Sequence, residues 1–239
     1  MNRNCLSYWF PRLLESGIPV PRTEIVTTKC DLRKLLDGKE PKGFRDFMAS
    51  LVEGVERIGE PCFLRTGQGS GKHQWKNTCF LKSREDLPNH IAVLVEWSEL
   101  VDFLGLPHNV WAVRELLPTE PMAVCPWYGD FPLVPEARAF VKDGKVLCIH
   151  NYWPIGSIEE GGVPHPEKVH AAINAVIDCD EVRDLAQKVA TVFKGDGAWS
   201  ADILQTKRGW HVTDMAEAGR SFHVPECQNA LILGPGALE

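Results

Sequence analysis

The chain has 239 residues, a formal net charge of −6, and 44% hydrophobic and 24% charged residues. These are ordinary globular values for a length that supports one large domain or two to three small lobes. They exclude a membrane-spanning helix, which needs an unbroken apolar run of about eighteen residues, and the acidic balance argues against non-specific nucleic-acid binding.

The N-terminal stretch lacks an apolar core followed by a small-residue cleavage site, so a cytoplasmic location is expected. The eight cysteines form no C-x-x-C pair and no Cys/His cluster at zinc spacing, and they read as reduced, mostly buried thiols. Residues 6–16 predict a short amphipathic helix interrupted early at Pro11, followed by a turn and a strand around Ile25 and Val26. Asp31 is placed to cap a brief helix that Gly38 ends. Phe44, Phe47, Met48, Leu51, Val55 and Ile58 recur at helical spacing, and Gly59 stops that helix, which reads as a core element.

Next comes the glycine-rich stretch 61–80. An apolar strand leads through Arg65 into a loop with Gly67, Gly69 and Gly71, followed by Lys72, His73 and Lys76. Alternating glycines let backbone N–H groups turn toward an anion, and the cationic side chains suit a polyphosphate. A solvated hairpin tip has the same composition, and the Walker A spacing is absent. A return strand around 78–82, a polar turn at Ser83 and an apolar helix from Pro88 to about Phe103 follow. A strand over 110–117, buried on both faces, leads into a proline- and aromatic-rich excursion over 118–135.

Residues 136–153 predict a β-hairpin that turns at Asp143-Gly144. Two helices over 166–177 and 180–194 come next, with Asp180 placed to cap the second. A last hairpin closes on a three-residue loop, Lys207 to Gly209, so that Thr206 faces Trp210 and Asp202 lies opposite Asp214. Two carboxylates so placed share a face about 5 Å apart and call for a cation such as Mg²⁺ or Mn²⁺. A one-residue change in loop length removes that argument, and a surface hairpin with two unrelated aspartates is the plainer reading of spacing alone. His73 and His211 read as loop or packing residues.

The order of these parts resembles the ATP-grasp superfamily over nearly the whole chain. The carrying stretches are LLESGIPVPRTEIV, PCFLRTGQGSGKHQWKNT, VRELLP, EARAFVKDGKV and SADILQTKRGWHVTDMAEAG. The resemblance implies an α+β fold in which two α+β lobes with antiparallel sheets grip a nucleotide behind a short N-terminal segment. The divisions it suggests are 1–58 for that segment, 59–117 for a small lobe and 118–239 for a large one. It implies that Arg65, Gly69, Gly71, Lys72 and Lys76 bind the phosphates of ATP. Glu115, Leu116 and Leu117 would form the adenine hinge, and Glu136 (or Glu120) would receive the ribose. Arg138 and Lys72 would stabilise the transferred phosphoryl group, while Asp202 and Asp214 would ligate Mg²⁺ or Mn²⁺. Arg220 and Glu217 would lie at the substrate, with Arg220 reaching its carboxylate.

The resemblance departs from the family's pattern at the last strand, where Ala216 replaces a metal-ligating residue, so that either Glu217 substitutes through a bulge or the second metal site is weak. Arginine at position 65 replaces the usual lysine. The activity implied is an ATP-dependent ligase that joins a carboxylate, as its acyl phosphate, to an amine or similar nucleophile. Its substrates, one of them a macromolecule in one version, are not named by the sequence. The alternative is an ATP-binding assembly factor for a protein partner, without substantial turnover.

Overall fold

The computed structural model describes residues 2–101 and 105–230. The expected helix end at Phe103 and the last nine residues of the tail lie outside them. The elements run α1 (Leu6–Glu15), β1 (Thr23–Thr27), α2 (Phe44–Ile58), β2 (Cys62–Thr66), β3 (Phe80–Leu81), α3 (Leu87–Leu100) and β4 (Val110–Glu115). Then come β5 (Ala123–Cys125), β6 (Phe131–Leu133), β7 (Glu136–Lys142), β8 (Lys145–Asn151), α4 (Ile155–Glu160), α5 (Pro166–Ile177), α6 (Asp180–Val192), β9 (Ala198–Thr206) and β10 (Gly209–Glu217). No helix of the described residues is long and apolar enough to cross a membrane.

The chain forms two compact units. One holds Pro21–Leu117 and Pro126–Phe131; the other holds the described residues of Met1–Val20, Pro118–Cys125 and Pro132–Glu239. The 1–58 segment suggested by the sequence is therefore divided at about residue 20. The reason is packing: α1 buries Leu6, Trp9, Phe10 and Leu13 in the unit that holds α6 and β10, while α2 lies on β1 and β4.

In the first unit an antiparallel sheet of order β1-β4-β2-β3 packs under α2. The predicted stripe of α2 supplies Phe47, Leu51, Val55 and Ile58 to one core with Leu64, Leu94, Trp111 and Val113. Each fully buried side chain of this kind contributes about 1.5–3 kcal/mol of transfer free energy. Gly54 lets the helix settle close to the sheet, since a Cβ there would lie 3.3 Å from the Val113 side chain.

In the second unit the sheet order is β10-β9-β7-β8, antiparallel throughout. The β7–β8 turn uses positive φ at Asp143 and Gly144, as expected. One face carries Trp199, which stacks on Tyr8 of α1 and meets Phe193 just past α6. Strand alternation therefore puts Ser200 and Asp202 on the other face. Ahead of β7 in the chain, β5 and β6 form a two-stranded ribbon within the 118–135 excursion.

Four local expectations are corrected. Helix α1 runs through Pro11, because the buried stripe on either side holds the helix across the missing N–H. Asp31 does not cap. Its carboxylate accepts from Arg33 Nε at 3.0 Å, and the following turn is 3₁₀. Asp180 is the first residue of α6 rather than its cap, a position Cys179 takes, and its charge still suits the helix N-terminus. The last hairpin pairs Gly209 with Thr206, one residue tighter than a three-residue loop would place them. A β-bulge between Val212 and Asp214 then shifts the register back, so Asp214 does lie opposite Asp202. The expected pair survives because two one-residue differences cancel.

Candidate functional site

The glycine-rich segment continues from β2. Arg65 is 2% exposed on that strand, and its Nε donates to the Thr66 carbonyl at 3.1 Å. The loop that follows is tied to itself and to β4. The Gly67 N–H donates to Val110 O at 2.7 Å, the Gly69 N–H to Thr66 Oγ1 at 3.1 Å, and the Thr66 N–H to Gly69 O at 2.9 Å. Two of the N–H groups expected to face an anion are thus used by the fold.

The glycines have packing reasons of their own. A Cβ on Gly69 would sit 2.3 Å from the Trp97 ring, and Gly71 has φ of 59° with its carbonyl accepting from Thr78 Oγ1 at 2.7 Å. Lys72 opens the 3₁₀ turn Lys72–Asn77 and is half-buried. Lys76 pairs with Asp130, and both side chains are more than half exposed. His73 stacks on Tyr128 with ring centroids 4.3 Å apart, and Trp75 meets Phe80 and Phe131, which fits the packing role read for His73.

At the end of β4, Glu115 closes on residue 22. Its carboxylate accepts from the Arg22 N–H at 2.9 Å and faces the Arg22 guanidinium at 3.5 Å, and its own N–H donates to Arg22 O at 2.9 Å. Arg114, the preceding residue of β4, is buried, and its Nε donates to Thr23 Oγ1 at 3.2 Å. Leu116 is half-buried and Leu117 buried.

In the second unit strand pairing gathers a row of polar and charged side chains. Register places His150, Arg138, Asp202 and Asp214 side by side across β8, β7, β9 and β10, on the face away from Trp199. Arg138 and Asp202 are each 6% exposed and form a bidentate pair, Nε to Oδ1 at 2.8 Å and Nη2 to Oδ2 at 3.1 Å. The guanidinium also lies 4.4 Å from the Tyr152 ring centroid. Glu136 is buried one pleat along the same face and accepts from Thr213 Oγ1 at 3.3 Å. Thr213 is the bulged residue, so the irregularity in β10 aims a hydroxyl at Glu136 while it restores the aspartate pair. Asp214 is half-buried, and its Oδ1 accepts from the Met215 N–H at 2.9 Å.

A hard divalent cation takes oxygen ligands, and an ionised carboxylate offers about four lone-pair positions. Asp202 accepts twice from Arg138, and a cation held by the Asp202–Asp214 pair would draw on other lone pairs of the two carboxylates and be completed by water. A second cation finds no further carboxylate on this face of β10. Ala216 has none, and the bulge falls before Asp214 rather than after it, which leaves Glu217 on the opposite face. There Glu217 meets Arg3 Nη1 at 3.2 Å and Asn4 Nδ2 at 3.1 Å, and the expectation that it substitutes as a ligand is not met.

Arg220 ends the 3₁₀ turn Ala218–Arg220 and is exposed. Glu120, the other candidate for the ribose, is an exposed partner of Lys207 at 3.3 Å. His211 lies at the hairpin tip, with Nδ1 3.2 Å from Gly209 O. Tyr152 and Thr213 were not singled out from the sequence. Tyr152 follows a hairpin without a motif, and a bulge leaves no mark on residue spacing.

The two antiparallel α+β units have an ATP-grasp-like fold. No protein-family model matches the chain, and no curated protein matches it. Among solved structures, C-terminally truncated Cdc123 from Schizosaccharomyces pombe is similar over 97% of this chain and 90% of its own, with TM-score 0.55 and 14% identity. A second Cdc123 structure from that organism gives TM-score 0.53 and 13% identity over the same shares. N5-carboxyaminoimidazole synthase from Aspergillus clavatus, solved with ADP and 5-aminoimidazole ribonucleotide, is similar over 89% of this chain and 43% of its own, with TM-score 0.50 and 14% identity. At these identities the likeness is one of fold.

Proposed function

We propose that the chain binds ATP with one divalent cation and activates a substrate carboxylate. A carboxylate oxygen attacks the γ-phosphorus, the bond to the bridging oxygen breaks, and ADP leaves. An amine or similar nucleophile then attacks the acyl phosphate, loses its proton and displaces phosphate. The observation that carries this reading is the charged row Arg138–Asp202–Asp214 on one sheet face, with buried Glu136 one pleat away.

The roles follow the chemistry of each group. Arg65 and Lys72, with Lys76 at the rim and Gly69 and Gly71 shaping the loop, hold phosphate oxygens. Residues 115–117 present backbone to the base, and Glu136 accepts from the ribose hydroxyls. Arg138 orients and neutralises the transferred phosphoryl group, and Arg220 receives the substrate carboxylate. Asp202 and Asp214 hold the cation, which supplies charge neutralisation when bound. Such chemistry depends on positioning and electrostatics more than on a general base.

A second reading, ATP as a structural ligand of an assembly factor for a protein partner, is favoured by Ala216 and by the closed Arg138–Asp202 pair. Thermal unfolding with ATP, with and without Mg²⁺, tests the first step. ATP at about 100 times its Kd stabilises the fold by about 2.7 kcal/mol, and Asp214→Asn is expected to lose the Mg²⁺-dependent part. Absence of a shift with any nucleotide overturns both readings. A shift without ADP formation across carboxylate and amine candidates leaves the second.

A further inference from the structure

Strand β8 sets Cys148 and His150 two residues apart, hence on one face, at the edge of its sheet. After the Ala218–Arg220 turn the chain comes back along that edge. The His223 ring lies 4.3 Å from Phe140 and 5.0 Å from His150 by centroids, and Cys148 Sγ lies 3.2 Å from His223 Nε2. Cys227 closes the group, so that one ligand atom from each of Cys148, His150, His223 and Cys227 lies within 4.8 Å of every other.

The details favour ligation over packing. His150 Nε2 is buried without a hydrogen-bond partner. His223 Nδ1 lies 3.2 Å from the Val224 carbonyl, so it carries the proton and leaves Nε2 with its lone pair toward the cluster. The Cys227 N–H donates to Val224 O at 3.0 Å, which turns the segment, and Asn229 Nδ2 donates to Leu147 O at 3.0 Å, which ties it to β8. Two sulfurs and two imidazole nitrogens are the donor set of a tetrahedral zinc site, in which neighbouring ligand atoms lie about 3.3–3.8 Å apart for Zn–S near 2.3 Å and Zn–N near 2.0–2.1 Å. Side-chain rotations of about an ångström close that gap.

We propose that Cys148, His150, His223 and Cys227 form a closed, four-ligand zinc site that staples the segment after β10 to the edge strand β8. Four protein ligands leave no open position, so the role is structural. The staple also covers a sheet edge and fixes the His150 ring beside Arg138, its register partner. The proposal does not depend on nucleotide binding.

The test is metal content of the reduced full chain after equilibration with zinc and removal of excess, with cobalt substitution as the second measurement. The expected result is one zinc per chain, a cobalt spectrum with thiolate charge-transfer and tetrahedral d–d bands, and loss of both in Cys148→Ser/Cys227→Ser but not in Cys30→Ser. Hydrogen exchange of the wild type is expected to slow over 145–151 and 221–230 when zinc is added, a readout that needs no variant to fold. The proposal is overturned if the reduced wild type takes up no zinc, if the double variant keeps its full complement, or if the metal-replete protein carries a Cys148–Cys227 disulfide.

Discussion

The loop after β2 and the charged face of the β10-β9-β7-β8 sheet are both polar, yet they settle their polar groups differently. In the loop, backbone N–H groups of Gly67 and Gly69 bond to Val110 and Thr66, and the space over Gly69 is filled by Trp97. Its order comes from small residues and close approach. On the sheet face, strand pairing brings side chains of opposite charge together from distant parts of the chain, and the bidentate Arg138–Asp202 pair is buried. The lesson is that a glycine-rich, lysine-bearing loop is shaped first by packing, whereas a buried charge has to be answered by a partner wherever the register brings one.

That contrast can be broken most sharply at Arg138. Arg138→Met removes the bidentate partner of the buried Asp202 carboxylate and is expected to cost about 3–5 kcal/mol in urea unfolding. Arg138→Met with Asp202→Leu should recover most of the loss. If the single variant unfolds like wild type, the pair does not govern this face. In the loop, Gly69→Ala is expected to cost about 1–3 kcal/mol through overpacking against Trp97, and the cost should vanish in a Trp97→Ala background. An equal cost in both backgrounds would point to backbone strain instead.

The helix-covered side of the same sheet offers a comparison in pH. Burial pushes the Asp196 carboxyl up, but hydrogen bonds from Arg12 and Tyr8 and the charges of Arg12 and Arg3 outweigh it and hold the carboxyl below its ordinary 3.8. A depressed folded value means stability that is full above 3.8 and lost as pH falls through the folded value. Asp196→Asn is thus expected to cost about 1–3 kcal/mol at neutral pH, and the gap to wild type should shrink in acid below 3.8. A gap independent of pH would assign the effect to neutral hydrogen bonds. The smallest change is expected at Lys76. Lys76→Met breaks an exposed pair with Asp130 and should move stability by about 0–1 kcal/mol, while nucleotide affinity, measured by calorimetry, should fall if that lysine reaches phosphate.

Much of the fold is legible from neighbouring residues alone. The spacing of Phe47, Leu51, Val55 and Ile58 specifies α2 and the face it buries, and Asp143-Gly144 specifies the β7–β8 turn. The order of hairpins and glycine loop points to the ATP-grasp-like architecture. These features are local: each depends on a period or a turn that a few consecutive side chains impose. The remaining features required the tertiary structure. A bulge at Thr213 decided that Asp214 faces Asp202 and that Glu217 turns away toward Arg3 and Asn4. Sheet order decided that Asp202 answers Arg138, 64 residues earlier. The same order let His223 reach Cys148 across 75 residues, so two half-sites without a recognisable spacing meet as one cluster. Residue spacing carries the period of a strand, but which strands become neighbours, and in what register, is set by how whole elements bury their apolar faces together.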